Sequence, residues 1–390
     1  MRVMFYVQHL LGIGHLARAS RIAEALAADG AQVTVVTGGL PVPGFPAPGI
    51  AHLALPAMAV GQEGFGDLVD AEGRAVDDTF REHRRALLLD AFAALDPDVL
   101  LIEAFPFGRR QVRFELLPLI RVARDRANPP LILSSVRDIL QANRKPGRDE
   151  ETVAALADFD AVLVHGDPAF SRIEESFPLA ARIAPKLRYT GLVTPPPPAA
   201  ADERHDIVLS AGGGAVGADL IRCAMQARAL LPLDLNWCVL TGPNLPQPEF
   251  EAFSALASDR LAVHRFRANL AGLMASARVS VSQAGYNTVG DVLRAGCEAV
   301  LVPFASGGET EQTLRAEKLA ARGLTLVLPE RGLTPEALAD AIRIALGRSG
   351  RARQALDLDG ASTSARILRE MQQARISGSI RAGAPTHPVP

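Results

Sequence analysis

The sequence of 390 residues predicts an α/β protein made of two doubly wound halves. Short buried runs alternate with longer segments of helical period along most of the chain, which is typical of parallel sheets covered by helices on both faces. A run of four prolines near the middle separates the pattern into two parts of similar size. These observations predict two domains of this class joined by a linker.

The predicted strands form two groups, one on each side of the prolines. They lie at residues 2–7, 32–37, 98–103, 131–135 and 161–165 in the first half, and at 207–210, 236–241, 279–282 and 299–303 in the second half. The first helix is predicted at 14–28, because its apolar residues fall on one stripe and its charged residues lie opposite. Further helices are predicted between the later strands.

Four consecutive prolines favour a stiff extended segment, since proline cannot join the interior of a helix or a sheet. We therefore expect a first domain at 1–190, a linker at 191–205 and a second domain at 206–375. The residues at 376–390 include several glycines and prolines and are expected to form a flexible tail.

The composition argues against several classes of protein. Lys and Arg number 41 against 43 Asp and Glu, and this balance does not favour a nucleic-acid-binding protein. The three cysteines are too few and too irregularly spaced for a disulfide framework or a zinc site, and they suggest a reducing compartment. The longest uncharged stretch, 40–62, is broken by prolines and cannot form a membrane helix. We expect a soluble, cytoplasmic protein.

The turn after the first predicted strand carries Gly12, Gly14 and His15. In doubly wound folds ligands bind beyond the carboxyl ends of the strands, so this turn faces the expected site. The positive end of the following helix, and any burial, would lower the pKa of His15 and keep its imidazole neutral. A neutral imidazole can accept a proton from a hydroxyl group or from water, and we expect His15 to act as a general base.

Two loops of the second half carry groups suited to a diphosphate. The glycines at 212–214 follow a strand and can present backbone N–H groups to phosphate oxygens, without the lysine of an ATPase phosphate loop. The loop after 279–282 leads into a helix that we expect to open near Asn287 or Thr288. Both residue types cap helices well, and the free N–H groups of such a helix end could hold an anion.

Acidic and amide side chains near these loops suggest a sugar ligand. Asp291 is expected on the first turn of its helix, where it could accept hydrogen bonds from ribose hydroxyls. Glu311 and Gln312 at the start of a later helix offer groups for sugar hydroxyls. The two Asp-x-Asp triplets, 158–160 and 357–359, do not follow strands, so no metal site is predicted.

In their order along the chain, these motifs resemble the GT-B glycosyltransferases. The resemblance depends on the Gly-x-Gly-His turn at 12–15, the glycine loop at 212–214, the Gly-x-x-Thr-x-x-acid element at 285–291 and the acid–Gln pair at 311–312. It is strongest toward the bacterial transferases that add N-acetylglucosamine to peptidoglycan lipid precursors and toward related bacterial glycosyltransferases. In these relatives Glu is usual at the position of Asp291, and Asn is common at the position of Arg315.

The resemblance implies a GT-B fold of two doubly wound, Rossmann-like domains that face each other across a cleft. It also implies an inverting transfer of a sugar from a UDP-sugar to an acceptor hydroxyl. The first domain would bind the acceptor and supply His15 as the base, and the second would bind the donor. Neither a cofactor nor a metal is implied, since helix N-termini stabilise the leaving diphosphate. The implied donor-binding residues are Gly14, Gly212, Gly213, Gly214, Ser282, Gly285, Asn287 and Thr288 for the diphosphate, Asp291 for the ribose, Phe266, Arg267 and Leu270 for the nucleobase, and Glu311 and Gln312 for the sugar.

Other activities of the same architecture stay open. Nucleotide-sugar hydrolases also carry Gly-His followed by Arg, here Gly14, His15 and Arg18, and in them the histidine activates water. A UDP-sugar epimerase fits less well, and a nucleotide-sugar binder without catalytic activity is a further alternative. The sequence leaves open the acceptor, the sugar, the oligomeric state and the choice among UDP, GDP and TDP. Four charged residues also follow predicted strands, without an assigned role: Arg109, Arg110, Arg137 and Asp138.

Overall fold

A computed structural model describes residues 1–10, 13–61, 64–142, 145–199, 201–212, 217–242, 245–267, 269–348 and 355–382. The residues up to 190 form a first lobe and those at 207–348 a second lobe. The strands of the first lobe are β1 (Arg2–Val7), β2 (Gln32–Thr37), β3 (Ala51–Ala54), β4 (Met58–Gly61), β5 (Gly64–Asp70), β6 (Val99–Glu103), β7 (Leu131–Arg137), β8 (Ala161–His165) and β9 (Leu187–Tyr189). Its helices are α1 (Gly14–Ala28), α2 (Asp78–Leu95), α3 (Arg113–Arg124) and α4 (Arg148–Ala155).

The second lobe repeats the alternation of strand and helix. Its strands are β10 (Ile207–Ser210), β11 (Trp237–Leu240), β12 (Leu261–His264), β13 (Val279–Ser282), β14 (Glu298–Leu301) and β15 (Leu326–Val327). Its helices are α5 (Ala218–Arg228), α6 (Gln247–Ser254), α7 (Leu270–Ala275), α8 (Tyr286–Ala295), α9 (Glu311–Ala321) and α10 (Pro335–Leu346). A final helix, α11 (Gly360–Ala382), follows this lobe.

Each lobe is built on a parallel sheet, as the sequence predicts. Over the described residues, the first sheet has the strand order β3-β2-β1-β6-β7-β8-β9 and the second the order β12-β11-β10-β13-β14-β15. In both sheets the order reverses beside the first strand of the lobe, which places a ligand crevice at the carboxyl ends of the central strands. The antiparallel pair β4-β5 lies outside these sheets. The predicted fold class is confirmed.

The two faces of the first sheet belong to two separate hydrophobic cores. Along β1, Phe5 lies in one core, with residues of α1, and Tyr6 lies in the other, with residues of α2 and α3. Both side chains are fully buried. Since successive side chains of a strand point to opposite faces, this uninterrupted apolar run requires helices on both sides.

The C-terminal helix α11 packs on the first lobe. Ala365 and Leu368 of α11 are buried in the same core as α1 and β1. The backbone approaches closely where the chain crosses back, since a Cβ at Gly360 would lie 2.4 Å from the carbonyl oxygen of Gly191. This differs from the division expected from the sequence, which placed 206–375 in one domain and a flexible tail from 376. The residues after Ala382 lie outside the described part of the chain.

The expected linker also takes part in the packing. Leu192 and Val193 are fully buried, and Val193 forms an isolated β-bridge with Asp359 just before α11. The segment at 191–194 is therefore held between the lobes. Within the described residues, no helix combines the length and the apolar character needed to cross a membrane.

Candidate active site between the lobes

His15 lies on the first turn of α1, facing a buried carboxylate. Its Nδ1 is 2.8 Å from Oε1 of Glu103, the last residue of the neighbouring strand β6. Arg18, one turn along α1, donates to the same carboxylate oxygen. The His15 side chain is 18% exposed, whereas the carboxylate of Glu103 is fully buried. The base predicted from the sequence therefore has an acidic partner at hydrogen-bonding distance.

A chain of buried polar groups continues from Glu103 into the lobe. Ser135 Oγ donates to Glu103 Oε2 over 2.6 Å and lies 2.8 Å from His165 Nε2, while His165 Nδ1 lies 3.0 Å from Thr190 Oγ1. Because the Ser135 hydroxyl donates to Glu103, the neutral His165 donates from Nε2 to Ser135 Oγ, while the Thr190 hydroxyl donates to the carbonyl oxygen of Gly191 over 2.8 Å. In that arrangement His15 also donates from Nδ1 to Glu103, and its Nε2 carries the lone pair that can accept a proton.

The electrostatics of this network keep His15 neutral and Glu103 ionised. Burial lowers the pKa of His15 to about 3, and the cation of Arg109 adds to this effect, although Glu103 opposes it. Burial alone would raise the pKa of Glu103, but Arg18, His15 and Ser135 outweigh it and bring that pKa to about 2. The neutral imidazole expected from the helix dipole is therefore present, with burial and a neighbouring guanidinium as its causes.

On the second lobe, the loop between β13 and α8 leaves open space at Gly285. A Cβ added at Gly285 would meet no atom within 4 Å, so the space in front of its backbone is free. Ser282 Oγ and Asn287 Oδ1 are buried oxygens without a hydrogen-bond partner among the described residues. Unpaired buried oxygens of this kind mark a place where a ligand can bind.

The sequence misplaced the start of α8. The helix begins at Tyr286 with Gly285 as its N-cap, and no side chain caps it, whereas Asn287 or Thr288 was expected in that position. Asp291 consequently lies beyond the first turn. The physical reason is tertiary, because the hydroxyl of Tyr286 donates to the carbonyl of His165 over 2.9 Å and accepts from the N–H of Val193 over 2.8 Å.

Direct contacts bring the α8 end of the second lobe to the turn that carries His15. Asn287 Nδ2 donates to the carbonyl oxygen of Gly14 over 3.0 Å. The ring of Tyr286 lies between two guanidinium groups, with Arg18 at 5.2 Å and Arg315 at 5.6 Å from its centroid. The predicted base and the predicted diphosphate loop are therefore neighbours.

Two further residues predicted to bind the diphosphate, Gly212 and Thr288, lie in the second lobe. Gly212 has a left-handed backbone, φ +77°, which favours glycine because a Cβ there is strained. Thr288 is half-buried on the first turn of α8. Gly213 and Gly214 lie outside the described residues.

Asp291 is buried against the first lobe. Its Oδ1 lies 3.3 Å from Nη2 of Arg21 on α1. Burial raises the pKa of Asp291 to about 6, although the ion pair with Arg21 opposes this shift. The carboxylate predicted to bind a ribose is therefore engaged in a contact between the lobes.

Glu311 and Gln312 are also engaged by neighbours. Glu311 is only 2% exposed, and its carboxylate pairs with Arg137 at 2.5 Å and with Arg315 at 2.6 Å. Arg315 in turn pairs with Asp138 of the first lobe over 2.7 Å, with both side chains fully buried. Gln312 Oε1 accepts from the N–H groups of residues 284 and 304, over 3.1 and 3.2 Å.

The residues predicted to bind the nucleobase lie near the start of α7. Phe266 is 63% exposed in the loop after β12, and Leu270 is the first residue of α7. Arg267 pairs with Glu203 of the linker. Within the described residues, no group of three or more His, Cys, Asp or Glu side chains is arranged as metal ligands.

Comparison with known proteins supports the fold described above, with two lobes that are each built on a parallel sheet. Residues 208–357 match the glycosyltransferase family 28 C-terminal domain. Calicheamicin glycosyltransferase CalG4 superposes with a TM-score of 0.59 at 16% identity, covering 99% of this chain and 100% of its own. MurG of Acinetobacter baumannii gives a TM-score of 0.57 at 18% identity, covering 96% and 99%. The chain has the GT-B fold.

The sequence relatives of this GT-B chain are also named as sugar transferases. A UDP-N-acetylglucosamine–N-acetylmuramyl-(pentapeptide) pyrophosphoryl-undecaprenol N-acetylglucosamine transferase of Methylibium petroleiphilum is 29% identical over 258 residues, covering 63% of this chain and 65% of that protein. The protein of the same name from an Exiguobacterium species is 32% identical over 138 residues, covering 34% and 37%. The matches thus span about a third to two thirds of these relatives. The predicted resemblance is confirmed.

The sequence analysis of this GT-B chain missed the hydrogen-bonded network around His15. Glu103, Ser135 and His165 all lie at or near the carboxyl ends of adjacent strands, where a polar residue interrupts an apolar run. That pattern was available, because ligand-facing groups of doubly wound sheets concentrate at these ends. The contact of Glu311 with Arg137 could not be predicted in the same way, since these two residues are distant in sequence.

Proposed function

We propose that this protein is an inverting glycosyltransferase that moves a sugar from a nucleoside-diphosphate sugar, most simply a UDP-sugar, to an acceptor hydroxyl. The observation that carries the proposal is the contact between Asn287 and Gly14. It sets a neutral histidine with an ionised carboxylate partner beside the open N-terminus of α8.

The proposed reaction uses one proton transfer and one displacement. His15 Nε2 accepts the proton of the acceptor hydroxyl, whose oxygen attacks the anomeric carbon of the donor. The bond from that carbon to the diphosphate oxygen breaks, and the nucleoside diphosphate leaves with the electron pair. Attack from the face opposite the leaving group inverts the anomeric centre. The adjacent Glu103 carboxylate stabilises the imidazolium that forms.

The second lobe would stabilise the negative charge of the leaving nucleoside diphosphate. The first N–H groups of α8 have no side-chain cap, the space at Gly285 is open, and Ser282 and Asn287 keep unpaired oxygens near this helix end. Backbone donors and a helix N-terminus can stabilise a diphosphate without a metal. Asp291 would exchange Arg21 for the ribose hydroxyls, and Gln312 keeps its NH₂ group for the sugar, without a partner among the described residues.

A ligand screen followed by product analysis tests this function. We expect one of UDP, GDP and dTDP to stabilise the protein, by about 2.7 kcal/mol at a concentration one hundred times its Kd. The matching nucleotide sugars are then incubated with and without candidate acceptors. Acceptor-dependent release of nucleotide supports transfer, whereas equal release of free sugar without acceptor identifies a hydrolase that activates water with His15. The absence of binding by any nucleoside diphosphate or its sugars would contradict the proposal.

A further inference from the structure

The polar network at the junction of the lobes contains one cation without an anionic partner. Its charged members, among the described residues, are Arg18, Arg109, Arg137 and Arg315 against Glu103, Asp138 and Glu311. Arg18 pairs with Glu103, Arg315 with Asp138, and Arg137 with Glu311. Four guanidinium groups thus face three carboxylates, and Arg109 is the one left over.

A hydrogen bond holds Arg109 in place, although its backbone conformation and the burial of its charge are unfavourable. Its Nε donates to the carbonyl oxygen of Gln8 over 2.7 Å, directly before the turn that carries His15. Its backbone is left-handed, φ +57°, a conformation that is unfavourable for a residue with a Cβ. Burial lowers the pKa of Arg109 to about 10, and Arg137 and Arg18 add to this effect against the opposing charge of Glu103. A strained, poorly compensated cation beside a base is typical of a ligand-binding position.

We propose that Arg109 binds an oxyanion of a substrate, either a phosphate or carboxylate on the acceptor or the diphosphate of the donor. The planar guanidinium suits such groups because it can donate two parallel hydrogen bonds. Bound there, the oxyanion supplies the missing negative charge of the network. It also offsets the repulsion that Arg109 exerts on a protonated His15, so substrate binding strengthens the base. This inference rests on the proposed function for the identity of its two substrates.

Two variants with the same loss of charge provide the binding test. Arg109→Gln removes the unpaired guanidinium, and Arg113→Gln, a control on α3, removes an arginine that pairs with Glu151 on the surface. UDP binding is measured first, and orthophosphate binding is then measured on UDP-saturated protein. Selective loss of UDP affinity in Arg109→Gln, by about tenfold or more, assigns the donor diphosphate. Loss of phosphate binding with unchanged UDP affinity assigns an acceptor oxyanion.

The protonation of His15 gives a readout that does not depend on activity. Its charged neighbours are Arg18, Arg109 and Glu103. In histidine-labelled protein followed by NMR, we expect bound phosphate or UDP to raise the pKa of His15 in the wild type. In Arg109→Gln we expect a higher pKa without ligand and no further response to it.

The outcomes separate this inference from the proposed function. Equal UDP and phosphate affinities in the wild type and Arg109→Gln, with the same His15 titration, would overturn the oxyanion site. If no nucleotide binds but phosphate binding still requires Arg109, the site stands and the donor assignment fails. Arg109→Lys keeps the charge without the planar fork, and partial retention of binding there supports paired hydrogen bonds as the mode of recognition.

Discussion

The two sides of the site are built from different parts of the chain. The first lobe presents ionisable side chains whose partners are already in place, with His15, Glu103 and Ser135 joined by short hydrogen bonds. The second lobe presents backbone and small residues, with free space at Gly285 and an unpaired oxygen on Ser282. The side chains of the first side are therefore already hydrogen-bonded to one another, whereas the second side keeps open space and an unpaired oxygen.

This difference predicts that variants on the two sides fail in different ways. Changes to His15 and its hydrogen-bonded partners in the first lobe should affect turnover or folding while donor affinity is kept. Changes to the second lobe should affect donor affinity while folding is kept. Each of the following predictions tests whether variants of the two lobes differ in this way.

The largest expected effect is on turnover. His15→Ala removes the only imidazole that contacts Glu103 among the described residues, and turnover should fall by about two to four decades, the usual contribution of a general base. UDP affinity should stay close to that of the wild type in calorimetry. The matched control is His52→Ala, which removes a histidine bound to Thr37 at the far side of the lobe. Turnover that survives the change at His15 would rule out the base assignment.

A second prediction concerns the ionic contact between the lobes. Asp138→Ala leaves the fully buried guanidinium of Arg315 without its partner in the first lobe, so the free energy of unfolding should fall by about 3 kcal/mol. The double variant Asp138→Ala, Arg315→Met removes both charges and should recover part of that loss. Chemical denaturation of the three proteins measures both effects. If the single variant is as stable as the wild type, this pair does not hold the lobes together.

The strands and helices show how much of the fold could be predicted from the sequence. Nine of the fifteen strands in the described residues, and α1, were predicted closely because apolar periodicity is a local signal, and the observed bounds of α1, 14–28, are those expected. The six strands that were not predicted lie at the edges of the two sheets or outside them: β3, β4, β5, β9, β12 and β15. The start of α8 was missed because Tyr286 is anchored by Val193 and His165, which lie far away in sequence. The packing of α11 on α1 was missed for the same reason, since an apolar stripe does not reveal which surface it will cover.

The sequence predicted where the candidate site residues lie more fully than it predicted which side chains contact them. Glycines and capping residues identify loops that could meet a diphosphate, and the structure brings Gly14 and Asn287 into contact. A carboxylate such as Glu311 looks available in the sequence. The i,i+4 spacing of Glu311 and Arg315 is visible in the sequence, but only the three-dimensional arrangement shows that Arg137 also pairs with this carboxylate.

A smaller effect is expected from the one carboxylate that links α8 to α1. Because burial raises the pKa of Asp291 to about 6, it is ionised at pH 8 and largely protonated at pH 5. If it accepts hydrogen bonds from the ribose, UDP affinity should fall as the pH is lowered through 6. Asp291→Asn should bind UDP about tenfold more weakly at pH 8 and with little difference from the wild type at pH 5.

Calorimetry across this pH range, on both proteins, isolates the contribution of Asp291. The diphosphate itself also takes up a proton near pH 6, but this effect is common to the two proteins and cancels in their ratio. A ratio that does not change with pH would remove Asp291 from the ribose site and leave it as the partner of Arg21.

The smallest expected effect gives the sharpest test of the second lobe. Gly285→Ala places a methyl group in the free space before α8, at a φ of −62° that alanine accepts, so the free energy of unfolding should change by less than about 0.5 kcal/mol. UDP affinity should nevertheless fall several-fold, because the methyl group occupies the space proposed for the diphosphate. Gly332→Ala, another glycine with open space around it, is the control for a harmless methyl group. Unchanged UDP affinity in Gly285→Ala would mean that the donor does not approach this loop, and that the open backbone of the second lobe serves another ligand.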